Sequence, residues 1–317
     1  MKIMVTGANG LLGQVLIKQL VEKKYPVVAT GKGPGRLIVA ALEGYEYKEL
    51  DITDGPAVEE FVLYEKPSLI VHAAAMTQVD QCELDKQACY NVNVTATRFL
   101  LDAAKVVKAR FIFVSTDFIF DGNGGPYKED DEPAPVNYYG STKLVAEKAV
   151  MESGLDWAIA RTILVYGSVP TTGRTNIIAW IKQNLQNKVQ IKMVTDQLRT
   201  HTFVHDLAAG IILMIEKNAK GIYHLSGEEK MTPYEMAIET AKFFGFEEGL
   251  IAKSLSPDIR QPAVRPPRTG FDISKAKKEL GFKQVSFSEG LKKMFLLGSP
   301  VPSGGISRKD AKCFLPA

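Results

Sequence analysis

Two pairs of residues in this chain could move a proton: Tyr139 and Lys143, four positions apart, and Ser115 and Thr116, which end an apolar run. On a helix, positions i and i+4 share a face. A free tyrosine has a pKa of about 10, too high for easy proton exchange at neutral pH. A cation beside it favours the phenolate and draws that value toward the working range. A hydroxyl from Thr116 or Ser115 would hold a substrate carbonyl while Tyr139 gives it a proton, the hydride coming from a nicotinamide. Spacing alone carries little weight, because eleven tyrosines in a lysine-rich chain give about one such match by chance. Position carries more. Tyr139 opens a helical stretch that follows a strand ending in Ser-Thr, in a chain that begins with a glycine turn.

That turn is Thr6-Gly7-Ala8-Asn9-Gly10-Leu11-Leu12-Gly13. The apolar run Ile3-Met4-Val5 precedes it as a strand, and helical spacing of Leu12, Leu16 and Leu20 follows it to Glu22. Strand, glycine turn and helix put a helix N-terminus under a pyrophosphate. The first glycine permits the tight turn, the second lets backbone amides approach, and the third lets helix pack on strand. Gly7, Asn9, Gly10, Leu11, Leu12 and Gly13 are therefore candidate cofactor contacts. A second strand, 25–30, ends in Gly31-Lys32-Gly33-Pro34-Gly35-Arg36. An acid at this strand end would accept hydrogen bonds from the adenosine ribose and select NAD. None occurs before Glu43, whereas Lys32 and Arg36 could neutralise a 2′-phosphate. The turn favours NADP(H) and leaves NAD(H) open.

The rest of the chain must place these groups. A short helix (37–43), a strand (45–50), a helix (55–64) behind the cap Asp54, and a continuous apolar strand (68–75) come next. The last ends in Ala73, Ala74 and Ala75, small enough for a flat group to approach. A long helix over 86–107 carries Asn93, a polar residue in a core-like pattern and a further candidate cofactor contact. A strand (110–117), a Gly/Pro/acid-rich loop (117–138), a helix (139–152) and a strand (155–165) follow. This alternation predicts an α/β fold: a doubly wound parallel sheet of the Rossmann type, whose ligands bind beyond the carboxyl ends of the strands. Residues 7–13, 73–75 and 115–117 all lie there. Beyond Gly167 regularity breaks. A loop at 170–174, helices near 176–185, 207–216, 233–244, 274–280 and 287–297, and a strand at 222–225 suit a smaller α/β substrate domain. The expected division is 1–166 for the dinucleotide, with 201–217 returning to it, 167–298 mainly for substrate, and 299–317 as a flexible tail.

Composition excludes several classes. A net charge of +3 without long basic blocks speaks against nucleic acid. No apolar run approaches the roughly 18 residues of a membrane span, and the first residues lack a signal peptide's apolar core. Three cysteines without C-x-x-C spacing cannot build a disulfide framework, so a reduced cytoplasmic setting is expected. His201 and His205 have ligand-like spacing, but Thr-Phe-Val between them reads as strand and no third ligand is evident, so no metal site is expected.

Taken in order, Thr6-Gly-x-x-Gly-x-x-Gly13, Asp51-Ile52, His72-Ala-Ala-Ala75, Ser115-Thr-Asp117, Tyr139-x-x-x-Lys143 and 161–167 give the chain a resemblance to the extended short-chain dehydrogenase/reductases, from residue 1 to about 297. Ser-Thr-Asp-Phe-Ile-Phe-Asp-Gly at 115–122, Arg265-Pro266 and Leu280-Gly281 are similar to the dTDP-4-dehydrorhamnose reductase branch. The resemblance implies an NADP(H)-dependent reductase of a nucleotide-linked 4-keto-6-deoxysugar. It implies Thr116, Tyr139 and Lys143 as the catalytic set, with Ser115, Tyr139 and Lys143 also toward the cofactor. Asp51 and Ile52 would stand at the adenine, and Thr77, Val79, Asp117 and Phe118 on the substrate side. The branch usually has tyrosine where this chain has Phe118, which bears on the identity of the sugar. An epimerase or 4,6-dehydratase of the same superfamily stays open, although Phe118 cannot serve as the base a dehydratase needs there. A non-catalytic binding subunit, like the regulatory subunit of methionine adenosyltransferase, also stays open, as does a homodimer.

Overall fold

In a computed structural model, residues 1–36, 43–169 and 176–298 are described. The expected loop at 170–174 and tail at 299–317 lie outside them, as does all but Glu43 of the expected helix at 37–43. The first half alternates: β1 (Ile3–Thr6), α1 (Leu11–Glu22), β2 (Val27–Gly31), β3 (Tyr45–Glu49), α2 (Gly55–Glu65), β4 (Leu69–His72), α3 (Val79–Leu84), α4 (Lys86–Tyr90), α5 (Ala96–Val107), β5 (Arg110–Thr116), α6 (Tyr138–Met151) and β6 (Trp157–Thr162). Then come β7 (Val165–Tyr166), α7 (Ile177–Gln186), β8 (Ile191–Val194), β9 (Leu198–Thr200), β10 (Thr202–Phe203), α8 (Val204–Glu216) and β11 (Gly221–His224). The chain closes with β12 (Lys230–Met231), α9 (Pro233–Phe244), β13 (Ile251–Ser254), β14 (Arg268–Thr269) and α10 (Phe287–Gly298).

Seven parallel strands form the central sheet in the order β11-β6-β5-β4-β1-β2-β3. The chain is thus a doubly wound α/β fold. Successive strand residues point to opposite faces, and both faces are apolar here. Ile3, Val5, Leu69, Val71 and Ile112 face α1 and α8 in one core, while Met4, Ile70, Phe111 and Phe113 face α2, α5 and α6 in another. A third apolar cluster, built from α7, α9, α10 and β8, holds the later part of the chain together. That part carries small sheets of its own: β12-β9-β14, β13-β8 and β10-β7. α8 packs on the same core as α1, and residues 221–224, expected among the later elements, are the edge strand of the central sheet.

Three local departures bear on the site. The expected strand at 68–75 ends at His72, so Ala73, Ala74 and Ala75 form the exit loop. The expected helix at 86–107 is broken by a π-helical turn at Asn91–Thr95, of the kind often found at functional sites. A strand expected through 155–165 breaks after Thr162, and the short β7 pairs with β10 instead. His205 sits in the first turn of α8, not on a strand with His201. Among the described residues no cluster of three or more His, Cys, Asp or Glu side chains could hold a metal ion, and no helix is long and apolar enough to cross a membrane.

Candidate active site

The β1–α1 turn is built for close approach. Gly7 holds φ +74°, a left-handed conformation that L side chains rarely adopt, and a Cβ there would lie 2.8 Å from the Ala74 nitrogen. A Cβ on Gly13 would stand 2.2 Å from the Gly7 carbonyl oxygen, so only glycine lets α1 pack this near to its own turn. Gly10 is exposed at the N-cap of α1, which has no side-chain cap and no acid in its first turn. The amides of that turn are left to an anion from outside. Leu11 and Leu12 are half-buried behind it. This cradle fits a dinucleotide pyrophosphate. Ser115 adds a second sign of fit, since its Oγ is buried at the end of β5 with no hydrogen-bond partner.

Asn9 pins the loop after β2. Its amide donates to the Pro34 carbonyl (3.2 Å) and its oxygen accepts from the Arg36 amide (2.8 Å). Tyr47 closes the same loop by donating to the Gly31 carbonyl at 3.0 Å. Lys32, 80% exposed, forms an ion pair with Asp51 at 2.7 Å. That lysine, helped by the Thr53 hydroxyl and amide, holds the Asp51 carboxyl down to about 2. The basic residue expected at a 2′-phosphate and the acid expected at the adenine are thus partners of each other. Ile52 is buried in the core beneath them.

α6 carries Tyr139 and Lys143. Its N-cap Asn137 accepts from the Gly140 amide (2.9 Å), which fixes the first turn and with it Tyr139. A Cβ on Gly140 would strike the Phe118 carbonyl at 2.0 Å, so the helix sits tight against the end of β5. Tyr139 is 7% exposed and shares a cluster with Cys82 and Cys89. Burial pushes its pKa up, and the Thr116 hydroxyl beside it is the neighbour that pulls the other way. Lys143 stands one turn further along the same helix. Its ammonium donates to the Val114 carbonyl (2.7 Å) and lies 3.9 Å from the centre of the Phe113 ring. Burial brings Lys143 itself down to about 7, against the pull of Glu147. The shared helix face was read correctly, but a backbone acceptor on β5 holds the lysine.

Asn93, expected at the cofactor, is 1% exposed and braces the site from behind. The π-turn aims its amide inward, where it accepts from the Met76 amide (2.8 Å) and donates to the Met76 carbonyl (3.1 Å) and the Thr142 hydroxyl (3.1 Å). It thereby ties the loop after β4 to α6. Hydrogen bonds from Cys82, Thr142 and Asn93 hold the Cys89 thiol below its usual range. His72 is equally internal: its ring bonds Thr6 (2.7 Å) and Thr97 (3.0 Å), and burial keeps it neutral.

Of the four positions expected on the substrate side, Thr77 is exposed and Val79 packs against the Tyr139 cluster. Phe118 meets the Tyr139 ring edge-on at 5.7 Å and carries the Arg199 guanidinium over its face at 5.0 Å. Asp117 departs from expectation. It is 1% exposed, and its carboxylate accepts from Thr269 (2.6 Å) and Thr116 (3.2 Å) and pairs with Arg199 (3.5 Å). Its oxygens are spent inside the protein, because the loop after β5 turns inward at Asp117–Ile119. Arg199 and Thr269 were not singled out in the sequence, which has no pattern linking β9 and β14 to β5. Nearby, Arg265 grips Asp80 through both guanidinium ends, at 2.5 and 2.6 Å.

This geometry can be set beside known proteins. The chain is 32% identical over 289 residues to a probable low-salt glycan biosynthesis reductase of Haloferax volcanii, covering 90% of this chain and 95% of that one. It is 34% identical over 301 residues to methionine adenosyltransferase 2 subunit beta of Pongo abelii, covering 92% and 86%. The crystal structure of dTDP-4-dehydrorhamnose reductase from Bacillus anthracis, in complex with NADP, superposes with a TM-score of 0.81 at 28% identity, covering 93% of this chain and 98% of that one. With residues 1–297 matching it, the chain belongs to the RmlD substrate-binding-domain family.

Proposed function

We propose that this protein is an NADP(H)-dependent reductase of a nucleotide-linked 4-keto-6-deoxysugar, of the dTDP-4-dehydrorhamnose reductase type. The observation that carries the reading is the meeting of three features at the carboxyl ends of β1 and β5. They are the glycine cradle, the orphaned Ser115 hydroxyl, and a buried tyrosine beside Thr116 with Lys143 one turn along. The Bacillus anthracis reductase with this fold is in complex with NADP.

In this reading the amides of the first turn of α1 receive the pyrophosphate, and Lys32 leaves Asp51 for the 2′-phosphate. The dinucleotide supplies a hydride when bound. Tyr139 gives its phenolic proton to the sugar's carbonyl oxygen. Thr116 holds the phenol in line, and Lys143, fixed on the Val114 carbonyl, stands where a ribose hydroxyl can meet it. Burial of Tyr139 keeps the proton on the phenol until a carbonyl arrives. The pair Phe118–Arg199 walls the substrate side with an aromatic face and no hydroxyl. The reading gives 1–166, α8 and β11 to the dinucleotide, and the remaining later elements mainly to the sugar nucleotide.

Tyr139→Phe keeps the ring and removes the acid. General acid groups contribute on the order of 10²–10⁴-fold, so single-turnover NADPH oxidation with dTDP-4-dehydrorhamnose should fall by about that factor. NADPH affinity, followed by fluorescence, should stay nearly constant. A variant as fast as the parent would remove Tyr139 from the mechanism. If the parent chain binds NADPH but never oxidises it, the binding-subunit reading takes over, which the beta-subunit relative favours.

A further inference from the structure

Asp117 lies immediately after the hydroxyl that faces Tyr139, yet it is sealed from solvent. A hydroxyl has one proton and two acceptor lone pairs. Two of these three positions on Thr116 are taken. Its proton goes to Asp117 Oδ1 (3.2 Å), and one lone pair accepts from the Phe118 amide (3.3 Å). One lone pair remains, on a hydroxyl that stands beside Tyr139.

The direction of that proton depends on Asp117 being an acceptor at this spot. Two groups from distant parts of the chain hold it there by its other oxygen. Thr269 of β14 donates at 2.6 Å and Arg199 of β9 pairs at 3.5 Å. Arg199 is itself 5% exposed and locked, donating to the Gln197 side chain (3.1 Å) and the Pro266 carbonyl (3.2 Å). Its guanidinium also covers Phe118, whose ring edge packs on Tyr139. One buried cation therefore braces both neighbours of the phenol.

We infer that Asp117, held by Arg199 and Thr269, is a positioning residue that turns the Thr116 hydroxyl proton away from the site, so that the single proton of the Tyr139 phenol stays free for a substrate carbonyl and is the only one offered to it. The inference rests on the reading of Tyr139 as proton donor. A small, sealed carboxylate explains why this site needs Asp there and why Thr269 reaches it across 152 residues of chain.

Asp117→Asn keeps the shape but can present an N–H to Thr116 and reverse its proton. It should lower kcat with NADPH and dTDP-4-dehydrorhamnose by on the order of 10²-fold, the effect of misplacing a reacting group. The NADPH KM should stay within about twofold, because the cradle is untouched. Thr269→Val should lose a smaller part of kcat, and Thr269→Ser, which restores the hydroxyl, should recover it. The second readout needs no turnover. With tyrosine carbon-13 labelled at Cζ in the full chain, the Tyr139 resonance is assigned by its loss in Tyr139→Phe. It should move in Asp117→Asn and Thr269→Val and return in Thr269→Ser. If Asp117→Asn does not fold, because Arg199 loses its counter-ion, the two Thr269 variants decide. An unmoved resonance, or parental kcat in folded Asp117→Asn, overturns the inference. A parent chain without turnover, but with a resonance that moves as stated, counts against the proposed reaction and supports the positioning.

Discussion

Lys143 shows how much a side chain's behaviour depends on what surrounds it. In the folded chain its value is brought down to about 7 from the ordinary 10.5, first by burial. Below pH 7 the lysine is charged in both folded and unfolded chains, and the full burial penalty is present. Between pH 7 and 10.5 the folded form sheds its proton first, so the penalty shrinks as pH rises, and above 10.5 it is gone. Lys143→Met should therefore stabilise the protein by roughly 2–4 kcal/mol at pH 6, and by about half of that at pH 9. Chemical denaturation at the two pH values checks it, and a gain that grows with pH would show the lysine to be charged and well paired. Lys32 is the opposite case, a fully wet side chain. Exposed ion pairs are worth roughly 0–1 kcal/mol, so its bond to Asp51 is easily given up for a phosphate. Since hydrogen bonds to charged groups are worth about 1.5–3 kcal/mol, Lys32→Asp should reduce the NADPH-to-NADH ratio of kcat/KM on the order of tenfold. An unchanged ratio would place the 2′-phosphate elsewhere.

Among the elements, α6 does most to set the site, and it is anchored at both ends. Asn137 caps its start and also donates to the Val264 carbonyl (2.8 Å), so the cap holds the segment 263–269 as well. At the far end Glu147, fully buried, binds Arg161 of β6 through both oxygens, the shortest contact being 2.8 Å. Arg161 further donates to the Glu129 carbonyl (3.2 Å). Removing one partner of a buried pair leaves an uncompensated charge and costs roughly 3–5 kcal/mol. Glu147→Ala should thus lower Tm by roughly 10 °C in a thermal scan, and a drop of less than about 2 °C would mean that water reaches Arg161. The π-turn before α5 serves a comparable end. By inserting a residue it swings Asn93 off the regular helical face and onto Met76 and Thr142.

At the scale of the whole molecule, the segment 263–269 binds the later elements to the earlier ones. The Ala263 amide and both ends of Arg265 hold Asp80 on α3, Pro266 accepts from Arg199, and Thr269 reaches Asp117. Asp80 is held below the usual carboxylate range, first by Arg265. The hydrogen bonds of this strap reach α3, β9, the end of β5 and the cap of α6, and none of those named is made to the glycine turn 7–13. Arg265→Ala should accordingly raise the KM for the keto-sugar nucleotide on the order of tenfold, the loss of one charge-assisted contact. NADPH affinity should stay near that of the parent. Steady-state kinetics with each substrate varied in turn separate the two, and an equal loss on both would mean that the strap supports the whole fold.

By itself the sequence determined what short-range chemistry can determine. Apolar runs of strand length, alternating with helical spacing, specify a buried parallel sheet because both faces of each strand must be covered. The glycines of the first turn were legible for a similar reason. A positive φ at Gly7 and a close approach at Gly13 exclude other residues at those positions. Placing Tyr139 and Lys143 on one helix face needed only the helical period. The partners of those residues were decided by tertiary structure. Lys143 bonds a strand carbonyl, and Asp117 turns inward to Arg199 and Thr269. Asn93 braces a loop, and Lys32 finds Asp51. These contacts join residues with no periodic relation, brought together by chain crossings at the carboxyl end of the sheet. Whether a polar side chain faces the cleft or is used up inside depends on donors and acceptors that arrive from elsewhere in the chain.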